Sequence, residues 1–325
     1  MTFAKKALTL GTLVSLGVAA SASAQSTLNG AGATFPAPFY QRAFAALSGQ
    51  GVQVNYQSVG SGAGVRQFVA GTVDFGASDE PIKDAEAAKV KRGVVQFPAV
   101  GGTIAIAYNK ADCKGLKLTQ KQAVDIFLGN IKTWDQLKCG KGKITVAHRS
   151  DGSGTTFAFT NSLSAFSSEW KSKVGEGKSV NWPVGVGGKG NEGVAGVIAN
   201  TPGSIGYLNQ SYVRGAIKAA ALQNKAGNFV LPNLASGAAA LNNIRLNADL
   251  AGEDPNPAGA RSYPISTLTW ILAYEKGNGA KAGAIRKAML HLLGPAQNQA
   301  DDLGYVPLKG DILKRAKAAV ARIGA

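Results

Sequence analysis

Apolar positions in this chain fall into two alternating periods. Residues 26–34, STLNGAGAT, predict a short strand. Pro36 then suits the first turn of a helix over 36–47, PAPFYQRAFAAL. Residues 52–59, VQVNYQSV, alternate apolar and polar like a strand. They lead through GSGAG into a helical stretch at 65–71. A third strand at 73–79, VDFGASD, precedes a charged helical stretch over 82–93. Residues 94–109, VVQFPAVGGTIAIAYN, read as two strand runs broken at Gly101 and Gly102. Further along, the pattern predicts helices at 119–130, 155–166, 191–200, 281–293 and 312–323, and strands at 144–148, 204–209 and 266–276. Strands alternating with helices imply an α/β fold with a mostly parallel sheet. The Gly101–Gly102 break and the Pro/Gly-rich stretch GEDPNPAGARSYP bracket the middle of the chain, as two crossings between lobes would. One lobe is then expected from residues 25–100 plus 260–325 and the other from 101–259, with a hinged cleft between them.

The first 24 residues change the picture of where the protein works. Lys5 and Lys6 precede an apolar run that ends in Ala22-Ser23-Ala24, the order of a secretory signal peptide cleaved after Ala24. The run, at roughly 14 residues, falls short of the ~20 needed to span a bilayer. No cysteine lies near the cleavage point for lipid attachment, and no later stretch reads as a membrane span. A soluble periplasmic protein is expected. Cys113 and Cys139 are the only cysteines, and an isolated pair in an oxidising compartment most often forms one disulfide. Such a bond would contribute ~3–4 kcal/mol in the chain-entropy model; two buried free thiols are the alternative. With only His148 and His291 besides, no zinc pattern exists.

The formal charge is +16, or +14 once Lys5 and Lys6 leave with the leader. A positive field attracts anions of any kind. The basic residues form no dense run and are not interleaved with aromatics as a single-strand binder requires. A small anion fits the charge as well as nucleic acid does, and export disfavours the latter.

Candidate chemistry sits where strands hand over to helices. Thr34-Phe35, Ser61-Gly62 and Ser153-Gly154-Thr155-Thr156 each place hydroxyl or glycine residues at a predicted helix start. Unpaired N–H groups and the positive end of the helix dipole stabilise an anion there. Simple capping by Ser or Thr explains any one junction alone. Three junctions together, with Arg149 just upstream of one and no Asp or Glu from Gln25 to Val73, favour an anion cradle. GVGGKGNEG (185–193) has Gly-Asn, not Ser or Thr, after its Lys and is no P-loop. HRSDGSGTT (148–156) is no hydrolase elbow either, since DGSGT departs from G-x-S-x-G.

Several segments, in this order, resemble the periplasmic phosphate-binding proteins of bacterial Pst ABC transporters: GAGATFPAPFY, VNYQSVGSGAGVRQF, VDFGASDEP, RSDGSGTTFAFT, WPVGVGGKGNEGV, SIGY and the closing LGYVPL. The resemblance implies a two-lobed Venus-flytrap fold, each lobe a mixed sheet flanked by helices, with dehydrated phosphate buried in the interlobe cleft. It implies no cofactor, no metal and no catalysis. It puts the phosphate ligands at Thr34 and Phe35 (backbone N–H), Ser61, Asp79, Arg149, Ser153, Gly154 and Thr155, with Asp151 orienting Arg149. His148 is a departure, standing where relatives often carry another basic residue. The expected partners are inorganic phosphate and the permease subunits of a membrane transporter, the protein itself being a monomer. A secreted phosphatase on a related scaffold and a binder of another oxyanion, such as sulfate, are the competing readings.

Overall fold

The computed structural model describes Thr2 and residues 25–325, so the predicted leader lies outside the described residues apart from Thr2. Strands β1 (Ser26–Gly32), β2 (Val52–Ser58), β3 (Phe75–Ser78) and β4 (Val94–Asn109) come first, separated by helices α1 (Ala37–Ala45), α2 (Ser61–Ala70) and α3 (Asp84–Ala87). The middle of the chain adds β5 (Lys117–Leu118), α4 (Gln120–Leu128), β6 (Thr145–Arg149), α5 (Gly154–Phe166), α6 (Ser168–Lys173), β7 (Val186–Gly188), α7 (Gly190–Asn200) and β8 (Ser204–Asn209). The last third holds β9 (Lys218–Ala219), β10 (Ala221–Gln223), β11 (Phe229–Val230), α8 (Leu234–Leu241), β12 (Ser266–Tyr274), α9 (Ala282–Leu292) and α10 (Gly310–Val320).

The principal sheet runs β2-β1-β3-β12-β4-β8-β6-β7, with β9 beside β4. Each end of this sheet is parallel: β1 pairs in parallel with β2 and β3, and β6 with β7 and β8. The two ends meet through antiparallel pairings of β12 and β4. Strands β4 and β12 are nearly continuous apolar runs buried on both faces, as central strands covered by helices on either side must be. A separate three-stranded sheet, β11-β10-β5, sits in the middle segment, and the Cys113–Cys139 disulfide closes a loop of that same segment.

Two expectations need correction. Residues 94–109 form one strand, not two runs broken at glycines. Gly101 and Gly102 stay in register with Leu268 and Thr267. They are glycines because neighbours press on the sheet there: a Cβ on Gly101 would strike the Leu241 side chain, and one on Gly102 would crowd Phe35. What changes beside them is the partner, since Val94–Thr103 pair with β12 and Ile104–Asn109 with β8. The charged stretch 82–93, expected to be helical, keeps only one turn at Asp84–Ala87. The chain unwinds beyond it so that Val90 enters an apolar cluster with Phe68 and Tyr274, and the Arg92 guanidinium lies over the Tyr274 ring at 3.7 Å. Tertiary packing there outweighs helix propensity.

Candidate anion site

All three junctions form at the ends of parallel strands. The first follows β1, where Thr34 and Phe35 lie just before α1. The second is the start of α2, which begins at Ser61, earlier than the apolar period predicts. Its glycines explain the difference: a Cβ on Gly64 would strike Gly32, and one on Gly62 would crowd Gly152. Only glycine lets this first turn lie against β1 and the facing loop. The third is the start of α5, where Ser153 is the N-cap and its Oγ accepts from the Thr156 N–H at 3.0 Å. Ser153 therefore caps its helix as well as lining the site.

These junctions converge. Thr34, Phe35, Ser61, Asp79, Arg149, Ser153, Gly154 and Thr155 are all buried. The Asp79 N–H donates to Ser61 Oγ at 3.2 Å, and Thr155 Oγ1 donates to Asp79 Oδ2 at 3.4 Å. Any side chain on Gly154 would meet Ser61 Oγ and the Asp79 backbone at 2.6–2.8 Å. Arg149 makes a bidentate pair with Asp151, Nε to Oδ1 at 2.7 Å and Nη2 to Oδ2 at 2.5 Å, so its guanidinium plane is fixed. Asp151 Oδ1 also accepts from the Gly190 N–H at 2.9 Å. Phe35 contributes its backbone to the junction, while its ring packs edge-on against Tyr305 at 6.0 Å.

Two buried atoms here lack a hydrogen-bond partner in the protein: Asp79 Oδ1 and Arg149 Nη1. One is an acceptor when ionised, the other always a donor. Burial pushes the Asp79 carboxyl up to about 7, offset only in part by the Thr269 hydroxyl, the Arg149 charge and Thr155. Burial also pushes Asp151 up, but the bonds and charge of Arg149 and the Gly190 N–H outweigh it and hold Asp151 below the ordinary carboxylate value. The pairing splits the two carboxylates into different roles, Asp151 spent on Arg149 and Asp79 facing the site.

Asn191, a residue the sequence reading passed over, ties the arrangement together. It is fully buried at the start of α7. Its backbone N–H and Nδ2 both donate to Thr34 Oγ1, at 3.0 and 2.8 Å, and Nδ2 also reaches Thr155 Oγ1 at 3.1 Å. Asn191 Oδ1 accepts from the Asn209 N–H at 2.8 Å, which fixes which end of the amide is nitrogen. With Thr34 Oγ1 accepting twice, its own hydrogen is left to donate into the site. The only clue in the sequence is that GKGNEG opens a fourth strand-to-helix junction.

The serine-nucleophile alternative fails on geometry. His148 Nδ1 contacts the Arg149 carbonyl at 3.0 Å, and its ring stacks on Trp182 at 5.0 Å, away from any role as a base for Ser153. Among the described residues no group of three His, Cys, Asp or Glu could hold a metal ion.

Buried hydroxyls, helix N-termini and a fixed arginine, enclosed between two halves of an α/β sheet, define a two-lobed solute-binding protein of the periplasmic-binding type. The sequence matches the PBP superfamily domain over residues 17–288. It is 42% identical over 311 residues to the phosphate-binding protein PstS of Pasteurella multocida, covering 90% of this chain and 89% of that one. The corresponding figures for PstS of Haemophilus influenzae are 40% over 323 residues, 94% and 96%. The chain belongs to the PstS phosphate-binding protein family. These relatives are named as binding proteins, not as enzymes. The fold is also that of a phosphate ABC transporter substrate-binding protein from Clostridium perfringens solved with phosphate, at TM-score 0.67 and 20% identity over 87% of this chain and all of that one. A phosphate-binding protein from Stenotrophomonas maltophilia gives TM-score 0.74 at 20% identity, covering 90% and 93%.

Proposed function

We propose that this chain binds inorganic phosphate between its lobes and delivers it to the permease subunits of a membrane ABC transporter. The observation that carries the reading is the pair of unpartnered buried atoms, Asp79 Oδ1 and Arg149 Nη1, in one closed site. Phosphate near neutral pH keeps one proton, so it presents a donor to Asp79 and acceptors to Arg149. Backbone N–H groups at Thr34, Phe35, Gly154 and Thr155 and the hydroxyls of Thr34, Ser61 and Ser153 complete the ligand set, with Asp151 orienting Arg149. Residues 25–100 plus 260–325 form one lobe and 101–259 the other, and the anion favours the closed form because only that form offers every contact. The leader motif supports export to the periplasm, where the protein acts as a monomer. Among the described residues no helix is long and apolar enough to cross a membrane.

The test is calorimetric titration of phosphate-stripped protein with phosphate and with sulfate. Tight phosphate binding with sulfate excluded is expected. Equal affinity for both anions, or steady turnover of a phosphate ester, would overturn the reading.

A further inference from the structure

Lys178 lies in the loop between α6 and β7, outside the ligand set, yet it touches the ligand residue Ser153 in one lobe and Glu80, the neighbour of Asp79, in the other. Its carbonyl accepts from the Ser153 N–H at 2.8 Å, and the Gly177 N–H before it donates to Thr160 Oγ1 at 3.2 Å, so the loop is fastened to α5. Its ammonium crosses the cleft to Glu80, next to Asp79, at 2.8 Å, and stands 3.6 Å from Glu86. The Glu80 side chain is 4% exposed and that of Lys178 15%, so water screens this pair far less than a surface pair. Lys83 adds a second cation at 3.2 Å from Glu80, but from Glu80's own lobe and from a side chain 62% exposed. Lys178 is therefore the cation that reaches Glu80 from across the cleft.

We propose that Lys178 is a positioning residue that latches the closed cleft. Its ion pair with Glu80 forms when the lobes meet, holds the closed form, and slows release of the anion without touching it. When the lobes part, the loop travels with α5 and Glu80 stays with β3, so both charges return to water. The latch rests on the phosphate reading only for its ligand; the closing itself is measurable with no anion present.

The experiment compares the parent with Lys178→Met, Lys178→Arg, Glu80→Gln and the Lys178→Met/Glu80→Gln double variant. Spin labels at Lys171→Cys and Ala321→Cys, one exposed site on each lobe, report the inter-lobe distance in anion-free protein. Stopped flow gives phosphate association and release. Lys178→Met should shift the anion-free distances toward the open form and raise the release rate roughly 10- to 100-fold, with association within about threefold of the parent, since truncating one partner of a buried pair acts mainly on dissociation. Arginine should restore most of the loss. The double variant should lose less than the two single losses combined, as coupled residues do. Parent-like distances together with a parent-like release rate in Lys178→Met, or losses that simply add, would overturn the latch. A parent that binds no phosphate would defeat the phosphate reading instead, and the anion-free distances would still decide the latch.

Discussion

Replacing Asp79 with asparagine should open the site to sulfate. A carboxylate in an anion site repels its ligand and is costly to bury, as the upward push of Asp79 to about 7 records. Its use is selective. Ionised Asp79 can only accept, and its buried Oδ1 is free to take the proton that phosphate retains. Sulfate carries no proton, so it sets acceptor against acceptor in a buried site. Sites that leave a buried polar group unpaired reject the wrong ligand by ~10⁴–10⁵-fold. In Asp79→Asn the amide can donate, which replaces that repulsion with a charge-assisted hydrogen bond of about 1.5–3 kcal/mol. The sulfate gain should therefore be at least roughly 10- to 150-fold, while phosphate binding persists. Calorimetry of both proteins with both anions reads the change directly. A variant that still binds phosphate yet excludes sulfate as strongly as the parent would refute the reasoning and leave Asp79 as a structural residue of the β3 turn.

Three further outcomes follow. In anion-free protein the Asp79 carboxyl is pushed up by burial in the closed form, so its contribution to closed-form stability is present below about pH 4 and is lost as pH rises through about 7; the melting temperature of the parent should fall relative to Asp79→Asn across that window, and parallel curves would contradict it. Asn191→Ala removes the donors that turn the Thr34 hydroxyl toward the site and should weaken phosphate binding by about 1–3 kcal/mol, read by calorimetry, with circular dichroism unchanged. Replacing Cys113 and Cys139 with serine should destabilise the fold by about 2–4 kcal/mol in urea unfolding while leaving anion affinity intact, because the loop the bond closes, residues 113–139, carries none of the candidate ligand residues.

The parts of the site that were legible in the sequence are those written in local chemistry. Thr34, Ser61 and Ser153 each pair a hydroxyl with a helix start, and a strand-turn-helix repeat places such starts at the ends of parallel strands. Arg149 counts from the sequence only as a positive charge just upstream of one junction, and Asp79 has a role only through the resemblance, since a carboxylate at its position does not by itself point to an anion. Asn191 was hidden because its donors act on hydroxyls contributed by distant segments, which no local period encodes. Lys178 was hidden for the same reason, being one of many lysines until the fold sets it against Glu80. In the fold, glycine at 101–102 reads as a break in the strand at 94–109, whereas here it marks close approach by Leu241 and Phe35. The stretch at 82–93 has a helical pattern yet keeps one turn, because Val90 and Arg92 are drawn away by contacts with Tyr274 and its neighbours.

Strand β4 is the connection between the two ends of the sheet. A jaw hung on a floppy linker would wander, and each capture would have to freeze that wandering. On the lobe division proposed above, the backbone passes from one lobe to the other inside a hydrogen-bonded ribbon, exchanging β12 for β8 at Thr103–Ile104. Bending such a ribbon in its own plane would shear its ladder, whereas strands already twist about their own axes. A hinge of this kind would steer opening toward rotation about a single axis. The two surfaces would then face each other before the anion arrives, and little orientational entropy would be left for binding to overcome.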